Sequence, residues 1–150
     1  LVDGVGERSM LSDRGVSPTF APDQLDPVWF TGIDRLHITG YALLAEPFAG
    51  TAIEASRVAR QAGARVSVDL SAAHLIDAVG PAIFARRLQA AAPEVLFGTE
   101  REFARLGAPP QVAVTVVKRG ALGCTMRWVD GECEIPPPRC DVVDSTGAGE

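Results

Sequence analysis

Seven residues close the sequence as Asp144-Ser145-Thr146-Gly147-Ala148-Gly149-Glu150, directly after the apolar pair Val142-Val143. Glycines at 147 and 149 let the backbone turn its N–H groups toward one point, and a helix beginning there adds the positive end of its dipole. The chemistry of such a loop is the holding of an anion, above all a phosphate, with a carboxylate at 150 beside it. The same pattern also serves as an ordinary glycine-rich turn. A second glycine loop, Lys118-Arg119-Gly120-Ala121-Leu122-Gly123, follows the most β-branched run of the chain, and Lys118 is the only lysine in the sequence. It reads either as a second phosphate-facing loop or as a tight connection into an antiparallel edge.

These residues need elements to carry them. Residues 36–40 read as a buried strand. Residues 47–63 keep apolar Ala52, Ala55, Val58, Ala59 and Ala62 on one helical face, with Gly63 as the stop. A strand over 64–70 ends at Asp69, and Ser71 is placed to cap a helix over 72–79. Pro81 opens a helix to about residue 92, 95–97 is a short strand, and Thr99 with Glu102 is a capping-box pattern at the head of the next helix. Residues 111–117 form a strand, 122–128 and 133–135 two shorter ones joined by a turn at Asp130-Gly131, and residues 16–32 a proline-rich loop. Strands alternating with helices over 36–117 predict a mostly parallel sheet with helices on both faces. In such a sheet a ligand lies outside the carboxyl ends of the strands, where Asp69 and Lys118 stand.

Composition narrows the partners. With 14 basic against 19 acidic residues the net charge is −5 and no block of one sign appears, which argues against nucleic acid. Mean hydropathy is +0.14, and the apolar stretches near 36–45 and 112–117 fall well short of the roughly 18 to 20 residues that cross a bilayer, so a soluble, membrane-free chain is expected. Cys124, Cys133 and Cys140 have neither disulfide-framework nor zinc spacing and are expected to be buried reduced thiols in a cytoplasmic protein. His37, inside an apolar strand, is expected to be a hydrogen-bonded core residue, His74 a surface one, and Trp29, Phe30 and Trp128 packing residues.

Taken in order, DSTGAGE at 144–150, VVKRGALG at 116–123 and Thr99-Glu100-Arg101-Glu102 resemble the ribokinase-like (PfkB) family of carbohydrate kinases, through its D-T-T-G-A-G-D, strand-then-G-x-x-G and N-x-x-E segments. Weaker likenesses are LHITGYALL at 36–44 and VSVDLS at 66–71. The resemblance implies a ribokinase-like, doubly wound α/β fold with a mostly parallel sheet flanked by helices. Part of a small β lid and linker would occupy about 1–32, the core about 33–150, and the domain would be incomplete. It implies transfer of the γ-phosphoryl group of ATP, with Mg2+, to a hydroxyl of a small carbohydrate. Glu150 would stand at the base position, and Gly147, Ala148 and Gly149 would form the anion hole. Lys118, Gly120, Gly123, Asp144 and Thr146 would border ATP, and Glu102 would organise magnesium through water. Asp69 is a candidate substrate contact, and homodimerisation through lid strands is a possible partnership.

The departures carry expectations of their own. Glu150 in place of Asp moves the carboxylate by one methylene, and misplacement on the order of 1 Å can cost about 10²-fold in rate. Thr99 stands where the family has Asn, and the chain contains no Asn at all. The family's domain is roughly twice this length, so the isolated chain is expected to lack useful kinase activity. A degraded, nucleotide- or sugar-binding sensor is the alternative. A dinucleotide-binding domain is disfavoured, because no G-x-G-x-x-G follows an early strand.

Overall fold

The computed structural model describes residues 15–139. Its single sheet holds β1 (Arg35–Thr39), β2 (Arg65–Asp69), β3 (Val95–Thr99), β4 (Val114–Lys118), β5 (Cys124–Trp128) and β6 (Gly131–Ile135), hydrogen-bonded in chain order. The first four are parallel; β5 and β6 are antiparallel additions at one edge. Helices α1 (Phe48–Gln61), α2 (Ala73–Val79), α3 (Pro81–Ala91) and α4 (Glu100–Leu106) fill the three crossovers.

A strand, helix, parallel strand unit closes right-handed. When every unit adds its strand on the same side, the helices collect on one face. The core shows it: Ile38, Val66, Val68 and Leu96 from one face of the sheet pack with Ala52, Ile76, Phe84, Leu88 and Leu106 from the four helices. The mostly parallel α/β sheet flanked by helices is therefore as expected, but among the described residues the helices line one face rather than both.

Local chemistry accounts for the boundaries. α1 ends before Gly63, whose φ of +89° suits only glycine well. Its inner face is a stripe of small residues, Ala49, Ala52, Ser56 and Ala59, that lets the helix lie close to the sheet. On its outer face a hydrogen bond from Arg57, helped by that residue's charge and opposed by slight burial, holds the Glu54 carboxyl below its usual range. Pro81 occupies the first position of α3, where its missing N–H costs nothing. β4 begins at Val114, later than the sequence suggests. The hairpin turns at Val129 and Asp130, one residue early, because Gly131 pairs with Trp128 and leaves its Cα free for the indole to lie over, 3.2 Å from where a Cβ would stand.

Other expectations are corrected by burial. His37 is exposed on the helix-free face, although it is hydrogen-bonded through Nδ1 to Ser67 Oγ at 2.9 Å. Phe30 is buried against Ala59 and Ala64, but Trp29 and Trp128 are largely exposed, and Trp29 instead stacks on Phe20. Cys133 is exposed and Cys124 half-buried, both free thiols, so neither is the buried thiol expected. His74 is at the surface, as expected. Residues 16–32 are loop and 3-10 turns, at Ser17–Thr19, Pro22–Gln24 and Pro27–Phe30. The lid segment before residue 15 lies outside the described residues, as do Cys140 and the loop at 144–150.

Candidate functional site at the strand ends

Register sets Thr39 beside Asp69, Asp69 beside Phe97 and Thr99 beside Lys118, so β3 and β4 run two residues beyond the end of β2. Lys118 and Asp69 thus sit two strands apart, about 9.5 Å across the sheet and about 6.6 Å along it at the usual spacings, with β3 between them. The four-carbon stem of the lysine spans that gap. Its Nζ donates to Asp69 Oδ2 at 2.7 Å, and each side chain keeps only about a fifth of its surface exposed (20% and 21%). Two residues that the sequence marks separately are one ion pair.

Asp69 is held from the other side as well. Its Oδ1 accepts the Ser71 N–H at 2.8 Å. Ser71 takes a left-handed conformation, φ +69°, that turns its hydroxyl back to donate to the Asp69 carbonyl at 3.1 Å and to accept the Gly40 N–H at 2.9 Å. The expectation that Ser71 caps α2 is therefore not met: the helix starts one residue later with no side-chain cap, and the hydroxyl ties the ends of β1 and β2 together. Gly40 has to be glycine, since a Cβ there would collide with the Leu70 carbonyl.

Thr99 and Glu102 form the expected capping box. The Thr99 N–H donates to Glu102 Oε2 at 2.8 Å and the Glu102 N–H to Thr99 Oγ1 at 3.3 Å. Glu102 is buried, 4% exposed, so one carboxylate oxygen is used by the helix start and the other is left for water or an ion. Gly98 keeps this corner tight, because a Cβ there would lie 2.8 Å from Leu70 Cδ1 and 3.1 Å from Phe103 Cε2. Among the described residues no three His, Cys, Asp or Glu side chains gather to hold a metal ion.

The loop after β4 is a closed turn. Arg119 N–H donates to the Gly123 carbonyl at 2.8 Å, Leu122 N–H to the Arg119 carbonyl at 3.1 Å and Gly123 N–H to the Gly120 carbonyl at 3.0 Å. Gly120 and Gly123 carry positive φ, and a Cβ on Gly123 would collide with the backbone at Ile135 to Pro137. Three amides of this loop are thus engaged within it, and the antiparallel-edge reading describes its geometry. That contact also fixes where β6 ends: Ile135 pairs with Cys124, the cross-strand partner of Lys118.

Arg87, which the sequence does not mark, supports the rim. Its Nη1 donates to the carbonyls of Leu43 (2.9 Å) and Leu44 (2.6 Å), and its Nη2 lies 3.1 Å from Glu46, so α3 holds the loop that follows β1.

No family model matches the sequence. Over 158 aligned residues, covering all of this chain, it is 29% identical to an ATP-dependent ribose-1-phosphate kinase of Halopiger xanaduensis, of which it covers 49%. Among solved structures, an aminoimidazole riboside kinase of Salmonella enterica, complexed with aminoimidazole riboside and an ATP analogue, superposes with a TM-score of 0.69 at 25% identity over 86% of this chain and 47% of its own. A ribokinase II of E. coli in complex with ATP and Mg2+ gives 0.72 at 18% identity over 87% and 46%. The chain spans about half the length of each. Sheet, crossovers and whole-chain identity agree with the segments that first suggested the likeness: over its length the chain is similar to about half of these kinases and shares their fold.

Proposed function

We propose that this chain forms part of an ATP-dependent kinase that phosphorylates a hydroxyl of a small carbohydrate, at the strand ends where Lys118 meets Asp69. In this reading about 1–32 belong to a lid and linker and 33–150 to the core. The acceptor oxygen bonds to the γ-phosphorus while the β–γ bridging bond breaks to leave ADP, and the hydroxyl proton passes to Glu150. Such a transfer needs positioning and neutralisation of charge more than covalent chemistry. Lys118 supplies a cation, and Gly147, Ala148 and Gly149 supply amides to the moving group. Asp144, Thr146, Gly120 and Gly123 border the nucleotide. Magnesium, which offers charge to the phosphates when bound, keeps most of its waters and takes few carboxylates. The free oxygen of Glu102 suits that role.

The observation that carries this reading is the half-buried Lys118–Asp69 pair at the carboxyl edge of a parallel sheet, with β6 ending beside it. From Pro137, seven residues span at most about 25 Å. Lys118 lies two strands from β6 and Asp69 four, about 19 Å, so the loop at 144–150 is within reach of both. The relatives act on a sugar phosphate and a riboside, so pentose-containing acceptors come first in a panel. The cytoplasm, where ATP is plentiful, is the proposed location; no described helix is long and apolar enough to cross a membrane.

Calorimetric titration with Mg-ATP and with NAD is the test. ATP binding that Lys118→Met abolishes, with no NAD binding, supports the reading; NAD binding, or no ATP binding, overturns it. Coupled ADP release with free pentoses, ribosides and pentose phosphates then reads turnover. A second reading, binding without turnover, is favoured by Thr99, whose hydroxyl is engaged in its own helix cap where the family places an Asn.

A further inference from the structure

We infer that Asp69 is a resident counter-ion for Lys118, a positioning residue that a polyphosphate must displace. The inference rests on the reading that Lys118 faces ATP. The two partners are held very differently. Asp69 has a short side chain, and its second oxygen is fixed by the Ser71 N–H, which is itself locked by the Gly40 and Asp69 backbones. Lys118 has four methylenes and three donors, one of which meets Asp69. Among the described residues Asp69 is the one partner of its side chain, so the ammonium can turn without breaking any other contact. The carboxylate stays, and the ammonium is the part that turns toward an incoming anion.

Three consequences follow for binding. With no ligand present the pair is neutral, so a weak monoanion gains little by entering. A triphosphate offers several acceptor oxygens and enough charge to take Lys118 from a single carboxylate, while still being repelled by Asp69 a few ångströms away. Asp69 therefore weakens polyphosphate binding and sharpens the choice of polyanions over monoanions.

The probes are inorganic tripolyphosphate and adenosine, titrated calorimetrically into the full chain. Asp69→Asn keeps the shape and removes the charge, and is expected to tighten tripolyphosphate binding by about fivefold to tenfold. Asp69→Glu, which restores the charge, should return it toward wild type, and adenosine binding should not change in either variant. Lys118→Met should weaken tripolyphosphate binding more than tenfold. If Lys118→Met weakens binding and Asp69→Asn does not tighten it, the counter-ion inference falls while the phosphate reading stands. If Lys118→Met changes nothing, or the wild type does not bind tripolyphosphate, the reading beneath it falls too.

Should Asp69→Asn not fold, the wild type answers by NMR. Because Lys118 is the sole lysine, 15Nζ-lysine labelling gives one side-chain resonance. Tripolyphosphate should move it together with the Asp69 carboxyl 13C signal, assigned as the one altered in Asp69→Glu. A lysine shift with an unmoved Asp69 carboxyl overturns the exchange.

Discussion

At the scale of single residues, the strand ends depend on backbone positions whose side chain is either absent or forced. Ser71 is the sharpest case. A left-handed conformation costs an L-residue about 1–2 kcal/mol, and here the hydroxyl offsets it by satisfying the buried Gly40 N–H. Ser71→Ala loses that bond and keeps the strain, whereas Ser71→Gly loses the bond and relieves the strain. Urea unfolding should therefore rank wild type above Ser71→Gly, and Ser71→Gly above Ser71→Ala by about 1 kcal/mol. Equal losses in the two variants would show that the hydroxyl, not the backbone, sets the cost. Gly98→Ala presses a methyl onto Leu70 and Phe103 and should cost about 1–3 kcal/mol by the same measurement; a neutral result would mean that this corner is loosely packed.

At the scale of elements, helix starts and one long-range staple hold the site's frame. Thr99→Ala removes the cap of α4 and should cost about 1 kcal/mol, while Thr99→Asn, which installs the family's residue, keeps a capping oxygen and should stay within a few tenths of wild type. If both cost the same, the threonine methyl rather than its oxygen stabilises this turn. Arg87→Met leaves two carbonyls of the β1–α1 loop without a charged donor and should cost about 2 kcal/mol, with faster hydrogen exchange over residues 43–50; unchanged exchange there would mean that the loop stands without the staple. The contrast explains what the sequence disclosed. Thr99 and Glu102 are legible because a capping box is only four residues long, and the helix ends at Gly63 and Pro81 because those residues act on their own backbone. Arg87 binds carbonyls more than forty positions earlier, and periodicity identifies a face but never a partner. His37 was misplaced for a related reason: its apolar neighbours Leu36 and Ile38 belong to the opposite face of β1, and period-two alternation puts His37 where no helix packs.

At the scale of the whole molecule, one-directional winding sets both what was legible and how stability is distributed. Asp69 and Lys118 were marked from the sequence as strand ends, yet their pairing requires the strand order, which alternation of strands and helices leaves open. The same order makes β2 and β3 interior strands, each with a parallel neighbour on both sides and with Val66, Val68 and Leu96 at most 1% exposed. β6 is different. It is an edge strand, all five of its residues are exposed, and its charges pair through Arg127–Glu132 and Arg119–Glu134, where both glutamates are largely exposed. Such ion pairs add little, and an edge hairpin can open without disturbing the core. Amide exchange followed by mass spectrometry should then show β2 and β3 exchanging only through global unfolding and β6 exchanging orders of magnitude faster through local opening. Equal protection would mean that another part of the protein covers the β6 edge.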